Sequence, residues 1–357
     1  MSARRTSIGA LALYVAISCA YYGWWLLPHP GRMLIGDPNQ SDAEIFIWSF
    51  AWWPHAVLDW TNPFFSRAIY APTGINLAQI TSVPALAAAF SPVTLLYGPT
   101  ASFNLASVVL PALAAWTAFL LCRAVSGSFW AGVFGGYLFG FSSFMLAHER
   151  WGQLNQTASF VLPLIALVLL RHLRGEIGGR ALVWRLGVLV ALQAYISTET
   201  AVTMGLVLLL GLALAALLVA QARPAIRSAI RPVAAACLLA AVLTAPLLYY
   251  SLTGFNRESV FAERMRIDLL NLVVPTEVIG LGGERFHGLD ARLAGGPPER
   301  SLYLGLALLV ILALASRQVR RRRHPVAAAA LHPLPHRPRA PTQFLRPLPV
   351  IRHLDVE

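Results

Sequence analysis

Long apolar stretches separated by short polar segments fill most of this 357-residue chain. A membrane-spanning helix needs about 20 mostly apolar residues. Stretches of this kind cover residues 8–27, 103–122, 129–147, 157–171, 182–198, 200–220, 233–251 and 301–316. The pattern predicts an all-α integral membrane protein with about eight transmembrane helices. The first stretch follows Arg4 and Arg5 and runs on into bulky Tyr and Trp, which indicates a retained signal anchor.

Charged residues sort onto the two sides of these predicted spans. Basic residues fill alternate loops, at positions 123, 171–180, 223–231 and 317–323. Nearly all acids fall in the opposite loops, with Glu176 as the exception among the first three basic loops. Because basic residues gather in cytoplasmic loops, we expect a cytoplasmic N-terminus. Two long extracytoplasmic loops then cover about 28–102 and 252–300.

The first outer loop is long enough to contain structure of its own. Residues 43–60 are predicted to be helical, and residues 62–78 form a region rich in Pro and Gly turn signals. Residues 83–98 are apolar but are interrupted by Pro84 and Pro92. Counting them as a span would invert every later loop. We therefore expect a pair of interfacial or partly embedded juxtamembrane helices there.

Composition agrees with a membrane protein. The chain is 57% hydrophobic and 12% charged, whereas soluble domains carry about 25% charged residues. The net charge of +12 is explained by the basic loops, so nucleic acid is not an expected partner. Glycines in "GVFGGYLFG" (132–140) have the small-residue spacing of closely packed spans. Every basic residue is Arg, which is typical of a GC-rich gene and favours a bacterial inner membrane.

The C-terminal segment differs from everything before it. Residues 1–316 form the predicted transmembrane domain, and residues 317–357 are dominated by Arg, Pro, Ala and His. That mixture would not bury a core and predicts a disordered cytoplasmic tail. Two origins remain open: a genuine basic tail on the anionic inner leaflet, or a frameshifted or truncated end.

Acidic residues cluster directly after the first span. "GDPNQSD" contributes Asp37 and Asp42, and Glu44 follows. The Trp-rich segment 48–53 comes next and suits the headgroup level of a membrane. A carboxylate at that boundary can deprotonate an acceptor hydroxyl. A solvated acidic loop is the alternative.

A second polar cluster, "AHERWGQLNQ", ends the third predicted span. His148 and Glu149 could share a divalent cation, while Gln153 and Asn155 are candidates for substrate binding. The alternative is an interfacial polar belt. Glu199 is a lone acid between two spans and is a further candidate.

The last outer loop adds arginines to these candidates. Arg257, Arg264 and Arg266 have the planar guanidinium groups that bind phosphate oxygens well, although surface ion pairing would explain them equally.

The order of these segments over residues 8–316 resembles the GT-C superfamily of membrane glycosyltransferases. The resemblance rests on "GDPNQSD", "NPFFSRAIYAPTGINLA", "FGFSSFMLAHERWGQLNQ", "DLLNLVVPT" and "PPERSLYLGL". It is a resemblance to the mannosyltransferase-like members that use a polyprenyl-phosphate sugar, and it is strongest in the overall order of the segments. It implies transfer of a sugar from that lipid carrier to an envelope glycan or protein on the outer face, with inversion.

The resemblance also implies roles for individual residues. Asp42 would be the catalytic base, with Asp37 as second choice, and Glu44 would contact substrate. His148 and Glu149 would hold Mg²⁺ or Mn²⁺ in a metal-dependent member. Arg257, Arg264 and Arg266 would bind the carrier phosphate.

Two other classes of function remain open. A lipid-linked-sugar transporter or flippase would carry charged residues near the middle of its spans and broken helices in repeated halves. A non-catalytic scaffold protein would tolerate replacement of Asp37 and Asp42.

Overall fold

A computed structural model of the chain describes residues 3–24, 42–253, 268–275 and 283–293. It also describes residues 26, 28–29, 31, 34–35, 303, 305, 308–311, 313–314 and 317. In chain order its helices are α1 (Ala3–Ser18), α2 (Ala43–Leu58), α3 (Pro84–Tyr97), α4 (Pro99–Ser126), α5 (Phe129–Gly140), α6 (Ser143–Arg150), α7 (Leu154–Thr157), α8 (Val161–Leu173), α9 (Gly179–Ile196), α10 (Thr198–Leu218), α11 (Arg223–Leu243), α12 (Ala245–Leu252) and α13 (Gly283–Asp290).

Shorter elements complete the described secondary structure. A π-helical turn, Cys19–Gly23, extends α1. The 3₁₀ turns Leu77–Gln79, Ala220–Ala222 and Leu269–Leu272 precede α3, α11 and α13. Strands β1 (Phe65–Ser66) and β2 (Ile75–Asn76) pair antiparallel, with Phe65 opposite Asn76 and Ser66 opposite Ile75. The predicted all-α class is confirmed for this part of the chain.

Several of these helices can cross a membrane. In the described residues the segments of sufficient length and hydropathy are Arg5–Gly23, Pro99–Ser126, Phe129–Arg150, Leu154–Leu173, Gly179–Ile196, Thr198–Leu218 and Arg223–Leu243. These seven overlap the first seven predicted spans in order, so the protein is membrane-embedded. The seventh differs most from its prediction, because it covers Arg223–Leu243 instead of 233–251 and so includes Arg223, Arg227 and Arg231, which were predicted to lie in a cytoplasmic loop. The eighth predicted span, 301–316, is described only at residues 303, 305, 308–311 and 313–314, and the count of eight stays a prediction.

The centre of the bundle is α4, whose buried side is rich in alanine. Helix α5 lies against it through glycine. A Cβ atom on Gly140 would lie 2.6 Å from the backbone nitrogen of Ala115. A Cβ atom on Gly136 would lie 2.5 Å from the backbone oxygen of Ala115. The two helix backbones therefore touch, which confirms the predicted close packing of the glycine-spaced segment.

Helix α10 is the most apolar of the candidate spans, with a mean hydropathy of 2.6, yet none of its residues is buried. An all-round apolar helix is stable only when something covers it. Since the part of the chain that the structure describes leaves α10 uncovered, the hydrocarbon of a bilayer is the medium that suits its leucines and valines.

The first predicted outer loop contains two of the helices. Helix α2 occupies most of the segment predicted to be helical, and the β1–β2 hairpin lies in the predicted turn region. Residues 83–98 differ from the predicted helix pair, because α3 runs unbroken past Pro92. Proline cannot donate to the carbonyl four residues earlier, but the Ser91 hydroxyl donates to that carbonyl, of Ala88, at 2.8 Å. The freed acceptor is thus satisfied without ending the helix.

Predicted cytoplasmic segments meet at one end of the bundle. The Arg123 guanidinium donates to the Thr6 hydroxyl at 2.9 Å. Arg174 donates to the carbonyl of Ala124 at 2.7 Å. The N-terminal segment and the first two basic loops are therefore joined directly.

Predicted extracytoplasmic segments meet one another separately. The amide of Asn62 donates to the Tyr250 hydroxyl at 2.8 Å, and the amide of Asn76 donates to the Tyr250 carbonyl at 2.7 Å. The first outer loop is thus tied to the end of α12. These contacts agree with the predicted sorting of loops, and the orientation of the N-terminus stays a prediction.

The chain divides into two compact units. The larger contains the described residues of 1–141 and 148–258, which include every functional candidate that the structure describes. The smaller contains 142–147 and the described residues of 259–346. In the smaller unit a 3₁₀ turn, Leu269–Leu272, starts at Asp268, whose carboxylate accepts from the Leu270 N–H at 3.0 Å. The predicted tail, 317–357, lies outside the described residues except for Arg317.

Candidate functional site

Asp42 stands immediately before α2 and is tied to a distant loop. Its backbone N–H donates to the carbonyl of Trp151 at 3.0 Å. Aspartate at this N-cap position normally accepts a hydrogen bond from the first turn of its own helix. Here the carboxylate makes no such bond, and the side chain, which is partly exposed, is used elsewhere.

Gln153 is the partner of that carboxylate. Its Nε2 donates to Asp42 Oδ2 at 2.7 Å, and its Oε1 contacts His148 Nδ1. A carboxylate only accepts hydrogen bonds, so the NH₂ group must face Asp42 and the amide oxygen must face the imidazole. In that arrangement Nδ1 of His148 carries a proton and donates it in a hydrogen bond to the Gln153 oxygen. The three side chains form one chain of hydrogen bonds, which we call the Asp42–Gln153–His148 network.

The backbone of Gly152 makes this approach of two segments feasible. Gly152 has a φ of +66°, in the left-handed region that favours glycine. A Cβ atom there would lie 2.9 Å from Ala43 Cβ and 3.1 Å from the Ala43 nitrogen. Glycine therefore lets the loop after α6 contact the start of α2.

Glu149 is adjacent to His148 in sequence but faces a different environment. Its side chain is fully buried, and its carboxylate lies beside the hydroxyls of Ser107 and Thr157. Neither carboxylate oxygen makes a hydrogen bond of ordinary geometry to a described residue. Successive helical residues point about 100° apart because a turn takes 3.6 residues, which explains the separate partners of these two side chains.

The predicted metal ligands His148 and Glu149 face different neighbours. Gln153 contacts both Asp42 and His148, and Glu149 lies beside Ser107 and Thr157. Within the described residues, no group of three or more His, Cys, Asp and Glu side chains comes together. The shared role of His148 and Glu149 in holding Mg²⁺ or Mn²⁺ stays a prediction, and no step below uses a metal.

A second glutamine of the same segment holds a second carboxylate. Gln156 Nε2 donates to Glu199 Oε2 at 3.3 Å. Gln156 also accepts from the Thr200 hydroxyl at 3.4 Å. Between the two glutamines lies Asn155, which is buried and lines a cavity of about 200 Å³ together with Glu199.

The remaining predicted residues divide into two groups. Glu44 is exposed in the first turn of α2, where a negative charge is favoured by the helix dipole. Asp37, Arg257, Arg264 and Arg266 lie outside the described residues.

Sequence reasoning identified Asp42, His148 and Gln153 individually but did not predict that they touch. It missed Gln156 and Ser107. Ser107 could have been recognised, because it is a polar side chain inside an apolar span.

The comparisons with known proteins place the chain in a family without indicating its chemistry. The family model described as a domain of unknown function, DUF6311, matches residues 11–336, and the chain therefore belongs to this family. No curated protein and no solved structure is significantly similar to the chain.

Proposed function

We propose that this member of the DUF6311 family is a membrane glycosyltransferase. It moves a sugar from a polyprenyl-phosphate carrier to a hydroxyl group of an envelope glycan or protein at the outer membrane boundary. Asp42 is the catalytic base, and Gln153 and His148 position it. The carrier supplies its sugar from within the bilayer, so neither a nucleotide nor a soluble nucleotide-binding domain is needed.

The observation that carries the proposal is the Asp42–Gln153–His148 network. Two segments about one hundred residues apart in sequence, both predicted from charge sorting to lie outside, converge on one carboxylate. Asp42 gives up the usual capping bond of its helix to take part. Such a cap contributes about 0.5–2 kcal/mol, so its absence supports a role for the carboxylate other than local stability.

The position of Asp42 beside aromatic residues supports chemistry at a membrane boundary. Trp48 and Trp52 stack on α2, with ring centroids 5.5 Å apart and planes 8° apart. The indole N–H of Trp52 donates to the carbonyl of Pro63 at 2.9 Å. Indole rings favour the headgroup level, where a polyprenyl chain lies in lipid and its phosphate in the polar layer.

The reaction is a direct displacement at the anomeric carbon of the sugar. Asp42 takes the proton of the acceptor hydroxyl as the acceptor oxygen bonds to that carbon. The bond from the anomeric carbon to the phosphate oxygen breaks, and its electron pair leaves with polyprenyl phosphate. Gln153 contacts Oδ2, so Oδ1 is the oxygen offered to the acceptor. A fixed base needs no reorientation when the transition state forms.

Exchange of Asp42 for Asn tests the proposal. The purified full chain in lipid nanodiscs is incubated with radiolabelled polyprenyl-phosphate sugars and a bacterial envelope fraction as acceptor. We expect the D42N variant to transfer label about 10²–10⁴-fold more slowly, as for loss of a general base. Asp59→Asn is the matched control, because Asp59 is exposed at the opposite end of α2 and should transfer at the wild-type rate.

Three results would contradict this function. Transfer by folded D42N at the rate of D59N would remove Asp42 from catalysis. Transfer from a nucleotide sugar alone would replace the lipid donor. Movement of the lipid-linked sugar across the bilayer without transfer would identify a transporter.

A further inference from the structure

A cavity of about 200 Å³ lies beside residues 153–156, the segment whose Gln153 donates to Asp42. One wall is residues 77–84 of the first loop. The opposite wall is the junction between α9 and α10, residues 194–199, and Asn155 and Leu247 complete the lining. All of these residues belong to the larger unit and to segments at the end of the bundle predicted to be outside.

The lining is polar without being basic. The polar lining residues carry amides, hydroxyls and one carboxylate, and the described lining contains no Arg, Lys or His. These polar residues are Gln79, Thr81, Ser82, Asn155, Tyr195, Ser197, Thr198 and Glu199. Cationic partners strengthen binding of a phosphate or sulfate group; the described lining lacks them, and the Glu199 carboxylate would repel an anion. Amides, hydroxyls and a carboxylate are instead complementary to the hydroxyl groups of an uncharged sugar.

The polar groups are held in place by bonds within the protein. The Gln79 amide donates to the carbonyl of Thr253 at 2.9 Å. Ser197 caps α10 by accepting from the Thr200 N–H at 3.2 Å. Gln156 donates to Glu199 Oε2, so Oε1 is the oxygen of this carboxylate that can accept from a ligand hydroxyl. A prearranged set of acceptors binds with a small entropy cost.

We propose that this cavity binds one uncharged sugar residue, the acceptor end of the glycan that receives the transferred sugar. The proposal rests on the glycosyltransferase function given above. The adjacent positions of Gln153 and Gln156 connect it to the base, because one short segment fixes Asp42 on one side and Glu199 on the other. The volume is below the roughly 300–1,000 Å³ of sites for drug-sized ligands, which agrees with a single sugar ring.

Binding without catalysis tests the inference. The purified full chain in nanodiscs is titrated with the methyl glycosides of mannose, glucose, galactose and N-acetylglucosamine, observed by saturation-transfer NMR. Mannose 6-phosphate is the charged comparison. We expect at least one neutral glycoside to bind and the phosphate to bind more weakly. Glu199→Gln and Thr81→Val should weaken binding about tenfold, since each removes a hydrogen bond to the ligand.

Two variants separate this inference from the proposed function. Glu176→Gln is the matched control for the loss of a carboxylate, because Glu176 pairs with Arg171 and Arg174 and lies outside the cavity lining. D42N should retain glycoside binding while losing transfer.

The outcomes are distinct. Failure of all four glycosides to bind, tighter binding of mannose 6-phosphate, or equal binding by E199Q, T81V and E176Q would overturn the sugar site even where transfer occurs. Glycoside binding without any transfer would overturn the enzyme and leave the binding site.

Discussion

Replacement of Gln153 by Met is the sharpest perturbation of the candidate site. Methionine keeps the length of the side chain but removes both of its polar ends. Asp42 Oδ2 then loses its donor, and His148 Nδ1 loses its acceptor. Gln153 contacts Oδ2 of Asp42 and not the oxygen assigned to the acceptor proton, Oδ1, so it acts as a positioning residue through Asp42.

The magnitude follows from the two contacts. A hydrogen bond to a charged group contributes about 1.5–3 kcal/mol. Because Asp42 is partly exposed, water can replace the lost donor, and we expect the free energy of unfolding to fall by only about 1 kcal/mol. Catalysis is more sensitive, since a misplacement of about 1 Å can cost about 100-fold in rate. We therefore expect kcat to fall about 100-fold.

The assay is the transfer reaction in nanodiscs, with kcat and KM measured separately and thermal unfolding recorded on the same sample. A positioning role predicts a large fall in kcat with an unchanged KM for the lipid donor. Gln156→Met is an informative comparison, because Gln156 holds Glu199. That variant should raise KM for the acceptor and leave kcat near the wild-type value.

A Q153M protein that unfolds near the wild-type temperature and keeps its kcat would refute the reasoning. The hydrogen bond to Asp42 would then have no bearing on the reaction. A fall in kcat matched by a large loss of folded protein would assign Gln153 a structural role instead.

Two further predictions concern the backbone around the site. Gly152 and Gly175 both have left-handed φ values, of +66° and +74°, but of these two only Gly152 has atoms within 4 Å of an added Cβ. We therefore expect G152A to lower the free energy of unfolding by about 1–3 kcal/mol more than G175A does, as measured by thermal unfolding of both variants. Equal losses would refute the close contact at Gly152. In α3, Ser91→Ala should lower the free energy of unfolding by about 0.5–1.5 kcal/mol when Pro92 is present and by less when Pro92 is replaced by Ala. A double-mutant cycle measures this difference. Additive effects of the two substitutions would show that the Ser91 hydroxyl does not replace the missing helix hydrogen bond.

The helical spans followed from the sequence because insertion depends on the apolar content of a local window. The limits of the spans were less accurate. The segment predicted as 103–122 is part of α4, Pro99–Ser126. Its first turn contains Ser102, which lowers the local hydropathy, yet the Ser102 hydroxyl is buried and bonded to Thr94 at 2.8 Å. A polar residue satisfied by a neighbouring helix cannot be recognised from its own window.

The class of protein, the sorting of charges between its loops and the residue types available for chemistry could all be predicted from the sequence, since they depend on composition and local order. The contacts between those residues could not, because they depend on tertiary packing. Gln153 reaches Asp42 across a separation of 111 residues and also contacts His148, whereas Glu149 lies beside Ser107 and Thr157. Such contacts depend on helix rotation and on the close approach at Gly152, which are set by packing of the whole bundle and not by any single segment.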